Sequence, residues 1–212
     1  MNKPKTVAVI VAHPDDETLW CGGTILCHPT WNVFIISLSR ADDTNRAPKF
    51  FEALKILGAE GNIGYMNDGA EQLPLDESYV QAAILYLLPH KYFDIIITHN
   101  PNGEYTKHLR HEEVSKAVIK LWHEGIISAT QLWTFAYEDG GNKYYPKPML
   151  YASVCLRLPN QIWTKKHNII TETYGFEKSG FEAQTTPKSE SFLKFSNSYD
   201  AIQLLKKGEH IS

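Results

Sequence analysis

The 212-residue sequence predicts an α/β fold: a mostly parallel, Rossmann-like sheet with helices on both faces and a smaller, irregular C-terminal extension. Two observations carry this. Short strand-like runs alternate with helix-length runs as far as Glu138, and βαβα alternation builds a parallel sheet. The most apolar runs, "TVAVIVA" and "FDIIITHN", are short, β-branched and bounded, which is how buried strands read.

Lys5–Ala12 is the first expected strand. Asp15–Cys27 follows as a helix with Leu19, Gly22, Gly23 and Leu26 on its packing face. Asn32–Ser39 is the second strand, and Ala47–Gly58 a helix stopped by its glycine. Asn62–Asn67 is a short strand, Asp76–Leu88 an amphipathic helix, and Phe93–Asn100 a strongly apolar strand. A loop, Pro101–Lys107, leads to a helix over Leu109–Glu124 and a strand at Gln131–Glu138. Beyond Asp139 the chain is turn-rich ("EDGGNKYYPKP"). Met149–Pro159 alternates like a strand, Asn160–Tyr174 reads as helical, and a closing helix is expected at Tyr199–Lys207. No repeat or linker interrupts the chain, so residues 1–212 are read as one domain, with a core at 1–138 and a substrate-side extension at 139–212.

Hydrophobic residues make up 43% and charged residues 21% of the chain, and the net charge is -3. These are ordinary globular values, and they give no support to nucleic-acid binding. Cys21, Cys27 and Cys155 fit neither a disulfide framework nor a paired CxxC site, which points to a reducing compartment. No apolar run reaches the roughly 18–20 residues of a membrane span. The apolar start runs into "HPDDE" without a small-residue cleavage site, so a cytoplasmic protein is expected. Trp20, Trp31, Trp122, Trp133 and Trp163 are assigned to core packing.

The chemistry is concentrated at two strand ends. In "VIVAHPDDE", His13 and Asp16 lie three residues apart across a strand-to-helix turn, a spacing that shares one helical face. Asp15 points elsewhere, because neighbouring helical residues diverge by about 100°. Asp16 can therefore bind a cation while Asp15 remains beside it. Helix-dipole compensation accounts for the acids but leaves His13 unexplained. The second cluster, "HNPNGEYTKHLRHEEV", carries His99, Glu104, His108, His111 and Glu112. Right-handed crossovers place both clusters on one sheet edge, where ligands bind. His13, Asp16 and one of His108 or His111 supply the two imidazoles and one carboxylate of a catalytic zinc site with an open fourth position. The remaining histidine is then free to touch substrate. His99 is a candidate supporting residue; Asn100, Asn102, Gly103 and Glu104 either contact substrate or turn the chain. His28, His90, His123, His167 and His210 are set aside as lying away from this edge.

"AHPDDE" after a strand, "GG" in the next helix and an HxxH after a later strand resemble the PIG-L/LmbE-like zinc-dependent N-deacetylase family over residues 5–138. The resemblance implies removal of an N-acetyl or other N-acyl group from an amino sugar, such as an N-acetylglucosamine derivative, or a related small glycoconjugate. It implies that His13, Asp16 and His111 bind zinc (another divalent cation being admitted), with no organic cofactor. It makes Asp15 the general base and gives His108 the oxyanion or the leaving-group proton. Arg46 corresponds by spacing to an arginine that binds the acetyl oxygen, with Arg40 a nearby competitor. Asp15 would then limit activity on the acid side and His108 on the alkaline side. One departure stands out: many members read HPDH where this chain has His108-Leu109-Arg110-His111. Arg110 either reaches an anionic part of the substrate or is solvated. The expected partner is a small N-acetylated molecule, and a homo-oligomer is allowed. The rivals are a metal-dependent hydratase of a small unsaturated carboxylate on the same fold, a non-catalytic metal-binding module, and a nucleotide-binding domain. The last lacks its GxGxxG turn.

Overall fold

The computed structural model describes residues 3–90, 92–105 and 108–208. Thr106, Lys107 and His210, named above, lie outside them. Strand β1 (Thr6–Val11) leads through helix α1 (Asp16–Cys27) to β2 (Asn32–Ser39), α2 (Arg46–Leu57), β3 (Glu60–Met66) and α3 (Glu77–Leu87). Then come β4 (Tyr92–Thr98), α4 (Leu109–His123) and β5 (Ser128–Phe135). The C-terminal part holds β6 (Tyr137–Glu138), β7 (Lys147–Pro148), β8 (Val154–Arg157), α5 (Asn160–Asn168) and a π-helical turn at Ile169–Thr173. It closes with α6 (Phe181–Thr185), β9 (Ser189–Phe195) and α7 (Ser198–Gly208).

The main sheet has seven strands in the order β3-β2-β1-β4-β5-β9-β8. The first five are parallel; β9 and β8 are added antiparallel at one edge. The chain winds outward from β1 through β2 to β3, then crosses back to place β4 on the other flank of β1. That reversal opens a crevice at the strands' C-terminal ends. Both faces of β1 are covered. Val7, Val9 and Val11 pack in one layer with Trp20, Phe50 and Phe135; Ala8 and Ile10 pack in the other with Ile84, Val118 and Ala201. Among the described residues no helix is long and apolar enough to cross a membrane.

The C-terminal part differs from the sequence reading. The stretch expected as one helix over 160–174 divides into α5 and the π-helical turn. Ser189–Phe195, in the polar, Ser/Thr-rich segment after Tyr174 to which the sequence reading assigns no strand, is a strand in the main sheet. Its buried Glu190 explains why. One carboxylate accepts hydrogen bonds from the Gly23 and Thr24 amides (2.8 and 2.6 Å) and the Thr24 hydroxyl (2.6 Å), and pairs with buried Lys166 (2.6 Å). Those partners come from distant parts of the chain, so the local pattern hides them. Gly23 lets the helix approach closely: a Cβ there would sit 2.3 Å from Leu158 Cδ1, so that side chain would have to shift.

Candidate active site

The crevice begins where β1 ends. The Ala12 carbonyl accepts from the Ser39 hydroxyl (2.7 Å), and the Ala12 amide donates to His99 Nε2 (3.0 Å). The chain then turns sharply, and Asp15 adopts φ 120°. A non-glycine residue rarely occupies that region, at a cost of order 1–3 kcal/mol. Glu17 holds the turn: its buried carboxylate accepts from the Asp15 amide (2.9 Å), the Thr18 hydroxyl (2.6 Å) and the Tyr174 hydroxyl (2.7 Å).

This turn separates the two aspartates. Asp16 Oδ2 lies 3.1 Å from His13 Nδ1 and 3.3 Å from His111 Nε2, and those two nitrogens are 3.1 Å apart. Asp15 instead pairs with Arg46, Oδ1 to Nη1 at 2.8 Å. The donor set fits a divalent ion. A tetrahedral ion bound at about 2.0–2.2 Å has donor–donor edges of roughly 3.3–3.6 Å, close to the observed triangle. Glu104, buried in the β4–α4 loop, faces His111 Nδ1 at 2.8 Å. Such a carboxylate holds the proton on Nδ1 and leaves the Nε2 lone pair for a metal.

Two further groupings could hold an ion by proximity: His13, His108 and His111, and Asp16, His99 and His111. His99 is the weaker ligand. Its Nε2 lone pair accepts the Ala12 amide, and its Nδ1 faces Glu104 Oε1 at 3.2 Å. Stacked on His111 with ring centroids 3.9 Å apart, it supports the site from behind.

The electrostatics follow from burying several acids around imidazoles. Burial raises the Asp15 carboxyl well above its ordinary range; Asp16 adds to this and Arg46 opposes it. For Asp16, burial acts upward, but His111 and His99 outweigh it and hold the group well below the carboxylate range. Burial likewise opposes charge on Glu104 and His99. For Glu104, His99 and His111 outweigh it and take the group to about 2; Glu104 and Asp16 act upward on His99, against an Ala12 amide that needs its Nε2 lone pair.

His108 goes the other way. Burial, followed by the charges of His111 and His13, lowers it to about 4, and its buried Nδ1 has no hydrogen-bond partner. Burial therefore favours the neutral ring, which argues against His108 as the source of the expected alkaline limit. Arg110 is neither solvated nor aimed at substrate. It is 1% exposed, paired with Glu113 (2.6 Å), and donates to the Leu73 carbonyl (2.9 Å).

Arg46 lies deeper than Arg40. Besides Asp15 it bonds the Pro14 carbonyl (3.1 Å) and sits 4.6 Å over the Phe176 ring. Arg40 is more exposed and pairs with Asp68 (2.7 Å) at the rim. A cavity of about 350 Å³ opens over these residues, with Trp20, Tyr105, Phe176, Phe181 and Glu182 along its walls. Asn100 and Asn102 turn the chain: the Asn102 amide donates to Asn100 Oδ1 (3.0 Å), and the Asn100 amide side chain donates to the Phe135 carbonyl (2.9 Å). His28, His90, His123 and His167 each lie against an aromatic ring, and none lines the cavity.

Sequence reasoning missed Glu17 and Tyr174 as supports of the Asp15 turn. It placed Glu104 in the loop without its two histidine partners. A buried acid five residues after a strand-end histidine is the signal that was available.

Comparison with known proteins yields three findings. The family model described as "PIG-L: GlcNAc-PI de-N-acetylase" matches residues 8–122. Among solved structures, the N,N'-diacetylchitobiose deacetylase of Pyrococcus horikoshii is similar (TM-score 0.64, 16% identity, 91% of this chain and 84% of that one). So is GalB, the 4-carboxy-2-hydroxymuconate hydratase of Pseudomonas putida KT2440 (TM-score 0.61, 15% identity, 90% and 95%). At such identities the likeness shows the fold. An uncharacterized protein, L374, of Acanthamoeba polyphaga mimivirus is 22% identical over 182 residues, covering 79% of this chain and 75% of L374.

Proposed function

This chain belongs to the PIG-L family of GlcNAc-PI de-N-acetylases, and from that premise we propose that it is a zinc-dependent hydrolase removing an N-acetyl group from an amino sugar or related small glycoconjugate. The reading rests on one observation above all. His13 Nδ1, Asp16 Oδ2 and His111 Nε2 form a triangle of 3.1–3.3 Å, with the unused carboxylate of Asp15 next to it in a cavity of about 350 Å³. A module that only stored metal would need no second aspartate held in a strained turn.

The reaction is amide plus water giving amine plus acetate. His13, Asp16 and His111 would hold the ion, which supplies positive charge to polarise the acetyl carbonyl and to acidify water at the site. Asp15 accepts a proton from the attacking water and passes it to the departing nitrogen. Arg46 fixes the Asp15 carboxylate through Nη1, so the base is oriented before substrate arrives. His108, being neutral, donates a hydrogen bond to the developing oxyanion rather than a proton to the leaving group. Such a donor contributes roughly 2.7–4 kcal/mol in comparable sites. The rings of Trp20, Tyr105, Phe176 and Phe181 suit the apolar faces of a sugar.

The test is acetate release from a panel of N-acetylated amino sugars, using zinc-loaded and chelator-treated protein. The reading predicts zinc-dependent acetate release. Its absence across the panel, with turnover of an unsaturated carboxylate followed by absorbance, would favour the hydratase chemistry named for GalB.

A further inference from the structure

We propose that Asp68 is a positioning residue for His13, and that buried Arg110 keeps Asp68 in place by pinning its loop. The inference rests on the reading of His13, Asp16 and His111 as metal ligands. It starts from an asymmetry. His111 has Glu104 behind its ring, but His13 enters from an irregular turn and needs a partner for Nε2 if Nδ1 is to ligate. Asp68 Oδ1 lies 3.3 Å from His13 Nε2. A proton held there leaves the Nδ1 lone pair facing Asp16 and His111.

Asp68 sits on the loop between β3 and α3. Its carboxylate is aimed by two neighbours: Gln72 Nε2 donates to Oδ1 (3.0 Å) and Arg40 Nη2 pairs with Oδ2 (2.7 Å). The loop itself is fastened to α4. Arg110 Nη2 donates to the Leu73 carbonyl (2.9 Å), Arg110 Nη1 pairs with Glu113 Oε2 (2.6 Å), and Glu113 Oε1 accepts the Leu75 amide (2.7 Å). One buried arginine one residue before His111 therefore ties the loop behind the other histidine ligand to the helix that carries His111. Both imidazoles are referenced to α4.

The experiment is a zinc competition titration of the full chain against a chromophoric chelator, without substrate, with thermal melting of the chelator-treated protein alongside. Asp68→Asn should weaken zinc binding about 10- to 100-fold with little change in melting, and Asp68→Glu should recover part of the loss. Arg110→Gln should also weaken binding. The double variant should bind no worse than Asp68→Asn alone, because Arg110 acts through Asp68. If Arg110→Gln fails to fold, Glu113→Ala releases the Leu75 amide and serves in its place. Unchanged affinity in Asp68→Asn, or losses that multiply in the double variant, would overturn the inference. A wild-type chain that binds no zinc would overturn the metal reading itself.

Discussion

At the scale of single residues, two adjacent aspartates do different work because the backbone between them is bent. Asp16 faces His13 and His111, and Asp15 faces Arg46. Replacing Asp15 with Asn should cut turnover by about 10²–10⁴-fold and leave zinc bound, whereas His111→Ala should release the metal. Measuring metal content and kcat on both variants checks the division; zinc lost from the Asp15 variant would reverse the roles. His108→Gln should lower kcat about 10²-fold or more without moving the alkaline side of the pH–rate profile, because His108 is already neutral there, with its pKa near 4. Disappearance of that limb would contradict the assignment. These residues were legible because each motif is contiguous and its chemistry needs no partner to be recognised. Arg110 was not legible: its burial depends on Leu73 and Glu113, and only the fold brings Leu73 to it.

At the scale of elements, the β4–α4 loop couples the site to stability through Glu104 and His99. Glu104 moves from 4.5 to about 2. Its stabilisation is present above pH 4.5 and is lost as pH falls toward 2. Metal-free protein should lose stability as pH falls from 4.5 toward 2, and Glu104→Gln should flatten that acid decline; an unaltered slope in thermal melts would refute the coupling. Strand β9 carries the second prediction. Glu190→Ala leaves Lys166 buried without its counter-ion, and loss of about 3–5 kcal/mol is expected in denaturant unfolding. A loss under about 1 kcal/mol would mean that Glu190 is not what joins β9 to α1 and α5. Regular elements with an apolar period were readable from sequence. Strand β9 was not, because its buried polar residue has partners only in three dimensions.

At the scale of the whole molecule, the order β3-β2-β1-β4-β5 puts the ends of β1 and β4 side by side, and that juxtaposition brings together His13 and His111, 98 positions apart in the chain. The alternation of strands and helices made this layout legible, and with it the edge where the site would lie. The C-terminal contribution was only partly readable: Tyr174 reaches Glu17 and Phe176 lies under Arg46, yet neither belongs to a motif. The central claim is that His13, Asp16 and His111 share one divalent ion. Its most direct test is an anomalous difference map at the zinc edge from crystals grown with zinc. The account predicts one strong peak within about 2.0–2.2 Å of His13 Nδ1, an Asp16 carboxylate oxygen and His111 Nε2. A peak on His99 in place of His13, or no peak in the crevice, would contradict it.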